Sequence, residues 1–159
     1  MKKLKIYLDT SVINFLFADD APENKRTTEQ FFNDYVERNR FETYISDVVI
    51  EEIEKTEDED KKKKLLHVIA KYELLIFKLT DEAIRLAHKY IVEKIIPKKK
   101  IDDARHLAIA TVNECDALVS WNFKHLANIN KERLVGAENI KVGYSYPLRL
   151  ITPLEVMGE

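Results

Sequence analysis

The sequence predicts a single α/β domain over residues 1–159, a parallel β-sheet flanked by helices on both faces. Three observations predict it. Short apolar runs alternate with segments whose apolar residues recur at helical spacing. No Asn-Gly or comparable hairpin turn joins any two of the runs. The chain has 159 residues, 45% of them hydrophobic, with only three glycines and no repeat or low-complexity tract, which matches one domain with one sizeable core.

The elements follow in order. "LKIYLD" (4–9) reads as a strand and "TTEQFFNDYV" (27–36) as a helix with apolar pairs at helical spacing. "FETYIS" (41–46) is a strand or the lead into a helix, and Ser46 is placed to cap "DVVIEEIEK". "KKKLLHVIAKYE" is helical, and "LLIFKLT" (74–80) has strand character at its centre. The most strongly marked helix is "TDEAIRLAHKYIVEKIIP": Thr80 as cap, two acids in the first turn, Ile84, Ala87, Ile91 and Ile95 on one face, and Pro97 beyond its end. "DDARHLAIATVNEC" (102–115) starts with Asp102 placed to cap and has a close-packed side of Leu107, Ala108, Ala110 and Thr111. "ALVSW" (117–121) and "LRLIT" (148–152) are strands, and "TPLE" (152–155) is a capping box with proline at the first helical position.

Composition removes several functions. The formal net charge is -2, so no whole-molecule field draws the chain to nucleic acid, and any basic surface must be local. "KKKK" (61–64) follows "EDED" and reads as a solvated, self-compensating face; "PKKK" (97–100) lies directly before Asp102 and Asp103 and is the more suggestive block. One cysteine, Cys115, cannot form an intramolecular disulfide; with four scattered histidines it makes no zinc-site spacing and reads as core filler. No run approaches a membrane span, and "MKKLKIYLD" reaches an Asp too soon for a signal peptide, so a cytoplasmic protein is expected. Neither G-x-x-x-x-G-K-[ST] nor G-x-G-x-x-G occurs, which removes the usual nucleotide-binding turns, and there is no G-x-S-x-G elbow.

Acidic residues remain. Ligands of an open parallel sheet bind outside the carboxyl ends of its strands. Asp9 follows the apolar part of the first run and is itself followed by Thr10 and Ser11; Asn122 follows "LVSW". Glu52 and Asp103 lie in helix-starting segments that lead away from the same edge, so four oxygen-bearing side chains from four separated stretches can converge on one cleft. Carboxylates brought together repel one another unless a cation neutralises them. Mg2+ or Mn2+ suits such a cluster, and a bound ion can acidify water and stabilise charge on a phosphodiester. Hydrolysis of a phosphate ester is the expected chemistry.

"YLDTSVI", "ISDVVIEEI", "IDDARHLAIA" and "ALVSWNFKHL", in this order and spacing, resemble the PIN-domain family of metal-dependent ribonucleases, and most of all the VapC-type toxins of toxin-antitoxin pairs. The closing "VGYSYPLRLITPLEVM" is similar to the tail of such proteins, so the resemblance spans nearly the whole chain. Each motif alone is weak; four in order are fairly specific. The resemblance implies that Asp9, Glu52 and Asp103 form an acidic metal site supported by the hydroxyls of Thr10 and Ser11. It prefers Glu52 over Glu51, and Asp103 over Asp102, as the inward-facing carboxylates. It further implies an RNA substrate, a small antitoxin partner and a homodimer. Asn122 departs from the family, which often has Asp there; an Asn keeps an oxygen ligand and removes a charge. Lys124 and His125 are expected to face the RNA backbone.

His106, one helical turn from Asp103, is expected to be structural, and Trp121 to be core; Asp116 reads as a turn residue, and Tyr144 and Tyr146 are undecided between interface and surface. Two other functions stay open. A PIN-like module that binds RNA or protein without cutting is favoured if Asn122 prevents productive metal binding. A phosphatase of the haloacid dehalogenase type also puts Asp after its first strand but wants D-x-D, and position 11 is Ser.

Overall fold

The computed structural model describes residues 2–158. Its strands are β1 (Leu4–Leu8), β2 (Phe41–Ser46), β3 (Leu75–Phe77), β4 (Ala117–Val119) and β5 (Arg149–Ile151). Its α-helices are α1 (Thr10–Asn14), α2 (Pro22–Phe31), α3 (Asp47–Glu54), α4 (Glu59–Lys71), α5 (Asp81–Val92), α6 (Ile101–Val112), α7 (Ile129–Lys141) and α8 (Pro153–Val156). The five strands form one sheet in the order β3-β2-β1-β4-β5, and every neighbouring pair is parallel. Among the described residues no helix is long and apolar enough to cross a membrane.

Burial explains the strand patterns. Ile6, Tyr7 and Leu8 of the central strand are all fully buried, so both faces are covered and the run is continuous rather than alternating. The order also fixes where a ligand can bind. From β1 the chain moves outward through β2 and β3, then returns to the other side of β1 as β4 and β5, so the switch point lies between the carboxyl ends of β1 and β4.

Helix starts are as the sequence predicts at three places. Ser46 Oγ accepts the Val48 N–H (3.2 Å), Thr80 Oγ1 accepts the Ala83 N–H (3.2 Å), and Thr152 and Glu155 form a reciprocal capping box. Asp102 does not cap: the helix begins one residue earlier, at Ile101, and Asp102 instead pairs with Arg105 one turn on (3.1 Å). Three helices differ from expectation. The second starts at Pro22, five residues before the predicted Thr27, and continues into a wider π turn at Phe32–Val36. The first, Thr10–Asn14, is too short to show a period, and Ile129–Lys141 is mostly polar around Gly136 and shows little of one.

Helix ends also differ. α5 stops at Val92, not near Ile95, and Ile84 is 44% exposed rather than on the buried face. Asn39, Glu73, Lys94 and Glu114 all have positive φ, between 51° and 60°. In each case the next residue's N–H reaches back to a carbonyl five residues earlier: Arg40 to Tyr35, Leu74 to Ile69, Ile95 to Tyr90 and Cys115 to Ala110. These are Schellman ends, normally made by glycine. With three glycines in the chain, side-chain-bearing residues take the left-handed position and carry its strain. Lys94→Gly should therefore raise stability by about 1 kcal/mol, the relief of the left-handed penalty less the extra entropy lost by glycine; urea unfolding that shows no gain would refute that strain.

Candidate functional site

The site is built outward from the end of β1. Asp9 occupies the N-cap position of α1 but makes no capping bond to that helix. Its carboxylate is 96% buried and turns sideways: Oδ1 accepts from Ser11 Oγ (2.6 Å) and Oδ2 from Ser120 Oγ (2.7 Å). Ser11 Oγ also accepts the Trp121 N–H (2.9 Å), so the ends of β1 and β4 are clamped together through the two serines. The loop after β4 begins here, because Ser120 Oγ also accepts the Asn122 N–H (2.9 Å).

Glu52 comes from α3. Its Oε1 accepts from Thr10 Oγ1 (2.6 Å) and lies 2.7 Å from His106 Nε2. Glu51, the competing residue, is exposed, whereas Glu52 is half-buried and faces the cleft. Asp103 comes from the first turn of α6, and its Oδ2 accepts from Asn122 Nδ2 (3.3 Å). Together Asp9, Thr10, Ser11, Glu52, Asp103 and Asn122 line one cleft of about 320 Å3, with Asn14, Thr56 and His106 also on its wall. All six inward residues expected from the sequence thus meet at the switch point.

Electrostatics marks the same place. Burial pushes the Asp9 carboxyl above its ordinary value, and Asp103 adds to the rise against the opposing pull of His106 and the two serines. Burial likewise raises Asp103, with Glu52 adding and the histidines His106 and His125 and Asn122 opposing. Burial would raise Glu52 too, but the hydrogen bond and charge of His106, with Thr10, outweigh it and the net shift is downward. Burial would lower His106, but its Glu52 bond and the charges of Glu52, Asp9 and Asp103 win, and its pKa rises. Negative charge is therefore in excess in this cleft, as expected of a site for a cation.

Carboxylate and hydroxyl oxygens are the right chemistry for Mg2+ or Mn2+. Yet among the described residues no three acidic, histidine or cysteine side chains stand close enough together to hold an ion as a cage. These residues suit a hydrated ion held through one or two carboxylates, the manner in which Mg2+ usually binds.

Asn122 differs from expectation. Its Oδ1 accepts the His125 backbone N–H (3.0 Å), and since that partner can only donate, the amide's orientation is fixed. The cleft therefore receives the Nδ2 donor and not an oxygen. Lys124 and His125 do not line the cleft. Lys124 is exposed, while His125 is 7% exposed with a buried Nδ1 that has no hydrogen-bond partner. Burial, helped by the charges of Lys131, Lys124 and Lys100, outweighs the opposing charge of Asp103 and holds His125 below its ordinary pKa.

Two further residues belong to the site: Ser120, which the sequence did not single out, and His106, expected only to be structural. Ser120 is the second donor to Asp9, and its position at the end of β4, opposite Asp9 at the end of β1, was the available signal. His106 touches Glu52, and its signal was the one-turn spacing from Asp103. Trp121 and Cys115 are buried as expected, with the indole N–H donating to Thr28 Oγ1 (2.9 Å). Asp116 is the turn residue predicted, accepting the Lys5 N–H (2.8 Å).

The PIN-domain family profile matches residues 5–124, three quarters of the sequence, which holds the whole cleft. This chain belongs to the PIN-domain family. The PIN fold recurs in a chain of the VapBC2 complex from Rickettsia felis, solved bound to a DNA fragment from their promoter, with a TM-score of 0.51. The two share 15% identity, over 92% of this chain and 98% of that one, which makes it a likeness of fold. No curated protein sequence matches the chain.

The raised carboxyl pKa values set a pH test of this PIN cleft. A carboxyl whose folded pKa lies above its unfolded value makes the folded state less stable above that pKa, and the loss is relieved as pH falls through it. Asp103→Asn should therefore raise the melting temperature at pH 7, and the gain should shrink as the pH approaches roughly 4, where the unfolded carboxyl also takes its proton. A gain that is absent at pH 7, or constant with pH, would contradict the charge excess.

Proposed function

We propose that this PIN domain is a metal-dependent endoribonuclease that hydrolyses RNA phosphodiester bonds, and that it is the VapC-type toxin of a toxin-antitoxin pair. The observation that carries the reading is the convergence of Asp9, Glu52 and Asp103, from three separate elements, on a cleft at the sheet's switch point with excess negative charge. Mg2+ or Mn2+, when bound, would supply an acidified water and neutralise charge on the scissile phosphate.

The chain's own groups have distinct tasks. Asp9 and Asp103 would hold the hydrated ion, and Glu52 would offer Oε2 to its water shell, since Oε1 is committed to Thr10 and His106. Ser11 and Ser120 fix the Asp9 carboxylate so that it need not reorganise. Asn122 Nδ2–H orients Asp103. The basic edge of Lys100, Lys124 and Lys131 around His125 suits the RNA backbone, which would draw the phosphate toward an otherwise acidic cleft.

A protein partner is part of the same reading. A groove of about 730 Å3 is lined by the apolar Leu16, Phe17, Val68 and Tyr72 and by Lys63, Lys64 and Lys71, with Glu29 the one acid among its lining. Leu16 and Phe17 follow directly on α1, whose Asn14 lines the acidic cleft, so a bound segment would lie beside the catalytic groups. An acidic amphipathic helix from a small antitoxin fits that chemistry. The homodimer and cytoplasmic location belong to the proposal too; the exposed Ile129 and Ile140 at the two ends of α7 support a contact with a second copy there.

One observation favours the rival reading of a PIN-like module that binds without cutting. Asn122 turns its oxygen away from the cleft, so a second ion has one fewer ligand. Purified protein incubated with a mixed structured RNA should cut it in Mg2+ or Mn2+, not in EDTA, and Asp103→Asn should lose at least about 100-fold in rate. A folded protein that binds metal and RNA but never cuts would favour the module. Asn122→Asp should tighten Mn2+ binding measured by calorimetry, because a carboxylate replaces an amide donor beside Asp103; unchanged affinity would place residue 122 outside the ion's reach.

A further inference from the structure

His106 is buried to 98%, yet it sits on the wall of a polar cleft and both its ring nitrogens are used. Nε2 meets Glu52 Oε1 at 2.7 Å, and Nδ1 meets the Tyr7 hydroxyl at 2.7 Å. The Tyr7 hydroxyl also meets Ser46 Oγ at 2.6 Å. Ser46 is the cap of α3, the helix that carries Glu52. The histidine and tyrosine therefore grip α3 twice, at its N-cap through Ser46 and at its functional side chain through Glu52.

Hydrogen-bond direction follows from the available partners. Ser46 Oγ accepts the Val48 N–H, and the Tyr7 oxygen is the acceptor within reach of its own proton. With the imidazole neutral, Tyr7 donates to His106 Nδ1 and Nε2–H donates to Glu52; with it protonated, Nδ1–H donates to Tyr7 and Nε2–H still donates to Glu52. In the neutral form each polar hydrogen along Ser46, Tyr7 and His106 has an acceptor. Thr10 Oγ1 donates to the same Glu52 oxygen (2.6 Å), so Oε1 is saturated and Oε2 is left for the cleft.

We propose that His106 is a positioning residue for the site: with Tyr7 and Ser46 behind it, its Nε2–H locks one oxygen of Glu52 and thereby selects the other to face the bound ion. The inference rests on the metal-dependent reading of the cleft. It assigns a task to a residue that a purely structural role would leave indifferent to Glu52. α6 then supplies the site twice, with the carboxylate of Asp103 and, one turn later, the imidazole that aims the carboxylate of the helix opposite.

Mn2+ binding to the full chain tests this without reference to cleavage. His106→Gln, and Tyr7→Phe as the milder variant that keeps the imidazole and removes its support, should weaken Mn2+ binding in calorimetry by about 10- to 100-fold, as loss of groups that orient metal ligands commonly does. In a Glu52→Gln background the same substitutions should have no further effect on Mn2+ affinity, because the residue they aim is gone. A melting temperature that falls while Mn2+ affinity holds at the parent's value would reduce His106 to a structural residue and overturn the proposal. So would a loss that persists undiminished in the Glu52→Gln background. A parent protein that binds no Mn2+ would overturn the metal reading itself and this inference with it, whereas a parent that binds and His106→Gln that binds equally well would sink the inference alone.

Discussion

A carboxylate buried at the end of the central strand is the constraint on which the rest of this molecule turns. Asp9 is almost wholly removed from water, and an ionised group there is costly unless donors surround it. The fold supplies two from different directions: Ser11 from the helix that follows β1 and Ser120 from the end of β4. Satisfying Asp9 thus fixes the relative position of the two strands at the switch point. It also explains why α1 gives up a side-chain cap at its first residue, since the same carboxylate cannot serve both purposes.

The strong apolar frame makes this charge tolerable. β1 is buried on both faces, and α5, α6 and α7 are joined away from the site by a second polar cluster, in which Tyr90 hydrogen-bonds Asn139 (2.5 Å) and Thr111 (3.2 Å). Burial raises the Tyr90 hydroxyl's pKa well above its ordinary value, so it remains a neutral donor. A buried network with every member paired specifies one arrangement of helices. That rigidity is needed at the cleft, because Glu52, Asp103 and Asp9 ride on three different elements and their mutual repulsion would otherwise be relieved by moving those elements apart.

What the sequence disclosed follows from the range of the forces involved. Strand runs, the caps at Ser46, Thr80 and Thr152, and the cluster Asp9, Thr10, Ser11, Glu52, Asp103 and Asn122 were legible, because each is written in a local pattern or in order along the chain. Helix ends were not, since the usual glycine signal is replaced by Asn39, Glu73, Lys94 and Glu114 in the left-handed region. Asp102 looked like a cap because it precedes an apolar repeat, but Arg105 offers it a charged partner one turn away. His106 was read as structural because its partners, Glu52 and Tyr7, are 54 and 99 residues distant in the chain. No local pattern records such contacts.

Asn122 shows how a backbone requirement can change the chemistry of a site. The loop after β4 must satisfy the N–H of the buried residue His125, and the Asn122 amide oxygen does so. Asn128 finishes the same loop by donating to the carbonyls of Phe123 (2.7 Å) and Lys124 (3.1 Å). An aspartate at 122 could accept that N–H as well, but its second oxygen would then meet Asp103 as a like charge. The amide meets it as a donor. The cleft therefore carries one negative charge fewer than an all-carboxylate site, which lowers repulsion when no ion is present and weakens the attraction for a second one. The identity of residue 122 thus sets the charge of the cleft, while the His125 N–H decides which of that residue's two terminal atoms faces inward.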